Sequence, residues 1–192
     1  MYPYRWRDES AAAFAEQHGA QLAGGSGKDG PSLSPLSLRA LNAGDRLVLP
    51  SPNGATLTLL AAEHRAEVMA GSLRNASAVA KHCRQPGVVA VIAAGERWAD
   101  GSLRPCVEDM VGAGAVLSAL PADECSPEAH AAVAAFDGAR AELEPRLREC
   151  GSGRELVERG FADDITMAAE LDATRTCPIL RDAAYVDRTS EP

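Results

Sequence analysis

Short apolar runs alternate with helix-like segments through the middle of the chain, and this alternation limits the folds open to it. Each run has the length and character of a strand and leads through a loop into a helix-like segment. The runs are 46–50, 66–70 and 88–93, and the segments are 55–65, 76–84 and 107–120. Strands that alternate with helices are typical of a mainly parallel sheet with helices on its faces. The sequence therefore predicts an α/β fold.

The amino-terminal segment predicts a helix from Asp8 to Gly19. Asp8 or Ser10 can cap its start, alanines fill its body, and Gly19 can end it. Three further elements are predicted before the first run: a short strand at 21–23, a loop rich in Gly, Ser and Pro at 24–35, and a short helix at 36–42.

The second half of the chain is predicted to be helical at about 122–172. Ser126 and Pro127 are typical of a helix start, and the helix is expected to reach about Cys150 with a break near Pro145. Further helical segments are expected from Ser152 and, after an interruption at 160–164, over 165–171.

Two closing strands are predicted at 177–180 and 184–186, followed by a disordered tail at 188–192. A length of 192 residues fits one domain with a sizeable core. We therefore expect a single α/β domain over 1–187.

Charge and composition exclude several classes of partner. The net charge is −8, whereas binding to a nucleic-acid backbone needs a basic stripe. No apolar run approaches the roughly 18 residues of a membrane-spanning helix, and the first residues lack the apolar core of a signal peptide. Five widely spaced cysteines predict neither a disulfide framework nor a zinc site, so we expect the reducing cytoplasm.

The loops that follow the three predicted strands meet at one edge of a parallel sheet, which is where ligands bind in such folds. Each loop leads into a helix whose free N–H groups favour an anion, and arginine suits phosphate or sulfonate through its planar fork. The same glycines and asparagines are also ordinary turn formers, and that alternative stays open. The loops contribute Ser51, Asn53 and Gly54, then Gly71, Arg74 and Asn75, then Gly95, Glu96 and Arg97.

Two acidic pairs are candidate metal ligands. Glu108 and Asp109 begin the third predicted helix, and Asp163 and Asp164 lie further along. Mg²⁺ prefers carboxylate oxygens together with water and substrate phosphate. The alternative is that both pairs only complement a helix dipole or cap a helix.

Taken in order, these motifs resemble the 2-phosphosulfolactate phosphatase family. The resemblance covers about residues 20 to 180. It is carried by blocks in the expected order, which are Ser51-Pro52-Asn53-Gly54-Ala55, 71–80, 91–96, Glu108-Asp109 with 112–115, and 160–164.

The resemblance implies a three-layer α/β/α fold and Mg²⁺-dependent hydrolysis of 2-phosphosulfolactate, a small anionic substrate, in coenzyme M biosynthesis. Asn53 and Asn75 would orient the substrate, and Arg74 and Arg104 would clamp its anionic groups. The backbone at Ser51, Gly54 and Gly95 would complete the substrate site. The catalytic or metal-binding carboxylates would be Glu108 and Asp109, with Asp164 as a further metal ligand.

Family members open with a strand that supplies an acid and an arginine to the site, and this chain is expected to begin after that strand. The alternative to a phosphatase is therefore a truncated, non-catalytic α/β fragment that binds a small anion or a partner chain. The sequence leaves open whether the chain forms a homo-oligomer.

Overall fold

The computed structural model describes residues 1–24, 30–84 and 87–187. The predicted disordered tail at 188–192 lies outside the described residues, as does the stretch 25–29 of the predicted loop at 24–35. Within the described ranges, the residues form two compact units, 1–69 with 179–186 and 70–178 with Asp187.

The described ranges contain seven short strands and eight α-helices. The strands are β1 (Tyr2–Tyr4), β2 (Gln21–Leu22), β3 (Leu47–Pro50), β4 (Glu96–Arg97), β5 (Leu103–Arg104), β6 (Pro178–Arg181) and β7 (Ala184–Asp187). The α-helices are α1 (Glu9–Gln17), α2 (Pro52–Glu63), α3 (Ala76–Cys83), α4 (Val107–Leu117), α5 (Pro127–Ala139), α6 (Leu143–Glu149), α7 (Gly151–Glu158) and α8 (Ala162–Ala168).

The first unit is built on a parallel sheet with the order β1-β3-β2. The central strand β3 is the most buried, because Val48 has no exposed surface and Leu47 is almost fully buried. Helix α1 packs on β2 and β3 through the buried Ala11 and Ala15. A parallel sheet is present, as predicted, and it is compatible with an α/β fold. The partners of the strand at 46–50 are β1 and β2, however, and not the segments at 66–70 and 88–93.

The predicted start of α1 is confirmed, whereas α2 begins three residues earlier than the predicted Ala55, so that Asn53 and Gly54 lie in the helix rather than in a loop. The Asp8 carboxylate accepts a hydrogen bond from the Ser10 N–H at 3.0 Å and so caps α1. Pro52 lies in the first turn of α2, where its fixed φ and missing N–H cost nothing. The short helix predicted at 36–42 is a 3-10 helix at Pro35–Ala40.

The predicted strand at 66–70 is wrong. Met69 makes an isolated antiparallel bridge to Ile179, and the Leu180 N–H donates to the Val68 carbonyl oxygen at 2.9 Å. This stretch therefore pairs with β6 rather than joining the parallel sheet. The two predicted closing strands are confirmed as β6 and β7, joined by a two-residue turn whose residues both have positive φ.

The predicted strand at 88–93 is also wrong. The segment forms no strand within the described residues, and Val88 is fully exposed while Ile92 is 62% exposed. Its apolar composition satisfies the pattern of a buried strand, but a strand also needs a neighbour to complete its hydrogen bonds. A sequence pattern alone does not supply that neighbour.

The second unit is mainly helical. The helix predicted from Ser126 to Cys150 is broken, with a 3-10 turn at Arg140–Glu142 between α5 and α6. The break precedes Pro145, which lies in the first turn of α6 where proline is tolerated. Helix α8 begins at Ala162, earlier than predicted. None of the helices in the described ranges is long and apolar enough to cross a membrane.

Gly114 sets the distance between α4 and α5. A Cβ added at Gly114 would overlap the carbonyl group of Ala132 and lie 2.9 Å from the Phe136 Cβ. A Cβ added at Gly112, on the same helix, would meet nothing within 4 Å. Only the first of these glycines is therefore required by packing.

We expect Gly114→Ala to lower the free energy of unfolding by about 1–3 kcal/mol, because the added methyl group forces the two helices apart. Gly112→Ala is the matched control and should be neutral or stabilising by up to about 1 kcal/mol, because alanine favours a helix over glycine. Urea unfolding of both variants measures the difference. Equal effects of the two substitutions would contradict this account.

Candidate functional site

The start of α4 brings three metal-binding side chains together. The Cys106 Sγ and one carboxylate oxygen each of Glu108 and Asp109 all lie within 4.8 Å of one another, and all three residues are half-buried. Cys106 precedes the helix in an extended conformation, so its side chain shares the first turn with the two acids. This group is the candidate site in the helical unit.

Asp109 is held by the loop that precedes it. Its carboxylate accepts a hydrogen bond from the Gly95 N–H at 3.1 Å. Gly95 has a φ of +66°, which glycine adopts without strain, and the β4–β5 hairpin then returns the chain to α4. The Gly95 N–H is thus engaged by Asp109, and the predicted role of Gly95 in substrate binding stays a prediction.

Electrostatics favour a cation at this group. Burial raises the pKa of Asp109 above its ordinary value, and the neighbouring Glu108 carboxylate raises it further. A divalent cation between the two carboxylates would relieve both effects. Two neighbouring carboxylates fit Mg²⁺, whereas a thiol is not among its preferred ligands.

The start of α7 lies beside the start of α4. Cys106 Sγ and Ser152 Oγ are 4.0 Å apart. Burial raises the pKa of the Cys106 and Cys150 thiols, and the Glu108 carboxylate beside each of them raises it further. The starts of α4 and α7 therefore both lie close to Glu108.

Arg104 lies at the edge of this group. Its Nη1 forms an ion pair with Glu155 Oε1 at 2.8 Å, and its guanidinium stacks over the Trp98 ring at 5.0 Å. A Cβ added at Gly151 would approach Arg104 Nη2 to 2.9 Å, so Gly151 leaves room for the guanidinium. The Arg104 carbonyl oxygen accepts a hydrogen bond from Cys106 Sγ at 3.4 Å, but Glu155 already balances the charge of the guanidinium.

Arg74 and Asn75 have internal partners in the same unit. Arg74 pairs with Glu170 and donates to the Met167 carbonyl oxygen at 2.7 Å. Asn75 is buried, and its amide group donates to the carbonyl oxygens of Ala70 and Thr176, each at 3.1 Å. A substrate would have to replace these contacts, and the predicted roles of both residues stay predictions.

The Asn75 side-chain oxygen also has partners. It accepts hydrogen bonds from the N–H and the hydroxyl group of Ser72, at 2.8 and 3.1 Å. These bonds form a capping box that starts the chain into α3. In the structure, Asn75 therefore holds the loop between Ala70 and α3 in place.

The remaining predicted residues lie elsewhere. Asp164 is buried in the first turn of α8 and does not belong to the group at α4. Ser51 precedes α2 in the first unit, where its N–H donates to the Tyr4 carbonyl oxygen at 3.1 Å. Asn53 and Gly54 lie in the first turn of α2, and the Gly54 carbonyl oxygen accepts from Thr58 Oγ1 at 2.8 Å. Their roles stay predictions.

Cys106 was not among the predicted site residues, because the wide spacing of the five cysteines predicts no metal site. The local signal was the position of Cys106, which precedes Glu108 by two residues and Asp109 by three at the start of a helix. Such a spacing places all three side chains on the same turn.

Asp109→Asn should make the protein more stable at neutral pH. The raised pKa means that Asp109 binds a proton more tightly in the folded protein than in the unfolded chain. The contribution of Asp109 to the free energy of unfolding therefore falls as pH rises from the ordinary aspartate pKa through the raised value. Asparagine removes this titration, so the gain should shrink as pH falls below the ordinary aspartate range. Urea unfolding across pH, with a chelator present, measures it.

The control for this prediction is Asp123→Asn, since Asp123 is exposed and lies in the short 3-10 turn after α4. It should leave the pH dependence of stability close to that of the parent chain. A gain at Asp109→Asn that did not vary with pH would contradict the explanation.

Comparison with known proteins places the chain in one family. Residues 4–183 match the family model described as 2-phosphosulpholactate phosphatase. Three curated relatives, each named "Probable 2-phosphosulfolactate phosphatase", come from Thermotoga maritima (26% identity over 154 residues), Carboxydothermus hydrogenoformans (32% over 146) and Deinococcus radiodurans (31% over 152).

These matches cover 80%, 76% and 72% of this chain, respectively. They cover 65%, 59% and 57% of the relatives, so the chain spans less than two thirds of the length of each. The family model nevertheless covers nearly all of this chain. The chain therefore belongs to the 2-phosphosulfolactate phosphatase family.

Proposed function

We propose that this protein is a Mg²⁺-dependent phosphatase that hydrolyses 2-phosphosulfolactate, or a similar small phosphorylated organic acid, to the hydroxy acid and phosphate. Family membership and the names of the relatives support the reaction class. The observation that carries the proposal is the pair of half-buried carboxylates at the start of α4, with the Gly95 N–H beside it.

Glu108 and Asp109 are the residues that would hold Mg²⁺. Bound there, the ion would neutralise charge on the phosphoryl oxygens. If Glu108 alone held the ion, Asp109 would be the base instead, because a carboxyl whose pKa is raised is suited to accept a proton from an attacking water. The start of α4 also favours an anionic group, because its free N–H groups lie at the positive end of the helix dipole.

Arginines would bind the rest of the substrate. Arg104 lies next to the carboxylate group, and an incoming phosphate or sulfonate would compete with Glu155 for its guanidinium. Arg74 would exchange Glu170 in the same way. The family resemblance also implies substrate-binding roles for Asn53, Asn75 and the backbone at Ser51, Gly54 and Gly95, and it implies a role as a metal ligand for Asp164.

The wider proposal follows the family resemblance. It includes a single domain with a three-layer α/β/α fold, a place in coenzyme M biosynthesis and a cytoplasmic location. The parallel order β1-β3-β2, with α1 packed on it, is compatible with that fold.

A second candidate is a non-catalytic α/β protein that binds a small anion or a partner chain. The internal ion pairs of Arg74 and Arg104 favour it, because they leave the predicted anion clamps already neutralised. The two candidates differ in whether phosphate is released.

Phosphate release from 2-phosphosulfolactate should require Mg²⁺ and fall about a hundredfold or more in Asp109→Asn, since the variant loses a metal ligand or a base. A phosphate assay with and without chelator measures it. Asp123→Asn is the control and should retain the activity of the parent chain. Activity that survives both chelator and Asp109→Asn would contradict the site, and a folded chain without phosphate release would favour the second candidate.

A further inference from the structure

The group at the start of α4 includes a side chain that Mg²⁺ does not require. Cys106 Sγ and one carboxylate oxygen each of Glu108 and Asp109 lie within 4.8 Å of one another. Sulfur ligands select softer cations such as Zn²⁺, whereas carboxylate and water suit Mg²⁺. The mixed donor set therefore defines the class of ion more narrowly than two carboxylates alone would.

The Cys106 side chain is free of any capping role in the fold. It precedes α4 but makes no capping hydrogen bond to the helix. Its thiol donates to the Arg104 carbonyl oxygen at 3.4 Å, which is a weak bond. Cys150 differs, because its Sγ accepts a hydrogen bond from the Gly153 N–H at 3.4 Å and so caps α7. Cys106 can thus turn toward the carboxylates without the loss of a helix cap.

The charges around the group leave it without a compensating cation. Within the described ranges, neither Glu108 nor Asp109 forms an ion pair. Burial raises the pKa of Asp109, and the carboxylates of Glu108 and Glu96 raise it further. The Arg104 guanidinium is paired with Glu155. A bound cation would supply the positive charge that these side chains lack.

We propose that Cys106, Glu108 and Asp109 form a site for Zn²⁺, with water as the fourth ligand. Zn–S bonds are about 2.3 Å and Zn–O bonds about 2.1 Å long, so donor atoms on one tetrahedral ion lie about 3.5 Å apart. Donor atoms that already lie within 4.8 Å reach this spacing through small side-chain rotations. Three protein ligands and one water are the pattern of an open zinc site.

Zn²⁺ in this position has a consequence for the same site. It would occupy both carboxylates that are proposed to hold Mg²⁺, and so it would exclude that ion. Zn²⁺ should therefore inhibit phosphate release, and Cys106→Ser should be less sensitive to the inhibition than the parent chain. This consequence rests on the proposed function, whereas the binding of Zn²⁺ does not.

Isothermal titration of the reduced, metal-free chain with Zn²⁺ should show one site that depends on Cys106. Cys106→Ser should fold, because serine is a preferred residue before a helix. It should bind Zn²⁺ about a hundredfold more weakly, since losing a ligand costs at least as much as losing a partner of a ligand. Cys125→Ser is the matched control, because Cys125 donates to the Pro121 carbonyl oxygen and does not belong to the group. It should bind Zn²⁺ as the parent does.

Co²⁺ in place of Zn²⁺ reports on the sulfur ligand directly. A Co²⁺–thiolate bond gives a charge-transfer absorption band in the near ultraviolet, which carboxylate and water ligands do not give. The parent chain and Cys125→Ser should show the band, and Cys106→Ser should lack it. Unchanged Zn²⁺ affinity in Cys106→Ser would overturn the proposal, as would a band that disappears in Cys150→Ser but persists in Cys106→Ser.

The two proposals can fail separately. Zn²⁺ binding that depends on Cys106, in a chain that releases no phosphate with Mg²⁺, would support the zinc site and contradict the phosphatase. Phosphate release that needs Mg²⁺, in a chain whose Zn²⁺ affinity does not depend on Cys106, would overturn the zinc site and leave the phosphatase in place.

Discussion

The close packing of α4 on α5 at Gly114 is the constraint on which the helical unit depends. It lets the Ala132 carbonyl approach the α4 backbone and places the buried Phe136 against the same helix. A second glycine contact holds α7, because a Cβ at Gly153 would overlap the Leu147 carbonyl at the end of α6. The two helices whose starts lie close to Glu108 are thus both fixed by backbone contacts, which are stiffer than contacts between long side chains.

This arrangement explains why the sequence predicted some parts of the protein and not others. Helix α1 and strand β3 carry their own signals, since Asp8 caps the helix and apolar residues fill the strand. The acidic pair at the start of α4 could also be predicted, because the start of a helix and the type of its residues are local properties of the sequence. The segment at 88–93 failed because its pairing depends on a distant strand, which no local pattern specifies.

The site shows the same division between local and distant information. Glu108 and Asp109 are neighbours in sequence, and the structure groups them with Cys106. The partners of the arginines come from far along the chain, however, as with Arg74 and Glu170 or Arg104 and Glu155. Residue type indicated an affinity for anions, but it could not reveal that acids within the protein already meet that affinity.

The exposed apolar segment at 88–93 has a consequence for the behaviour of the protein in concentrated solution. It has six consecutive apolar residues, no charge and no proline, and Val88 and Ile92 are open to solvent. Such a segment is a template for pairing between copies of a chain. The net charge of −8 opposes that association, because the copies repel each other. At 0.1 M ionic strength, salt largely screens the repulsion between charges more than about 10 Å apart. The colloidal stability of this protein therefore rests on low ionic strength as much as on its folded core.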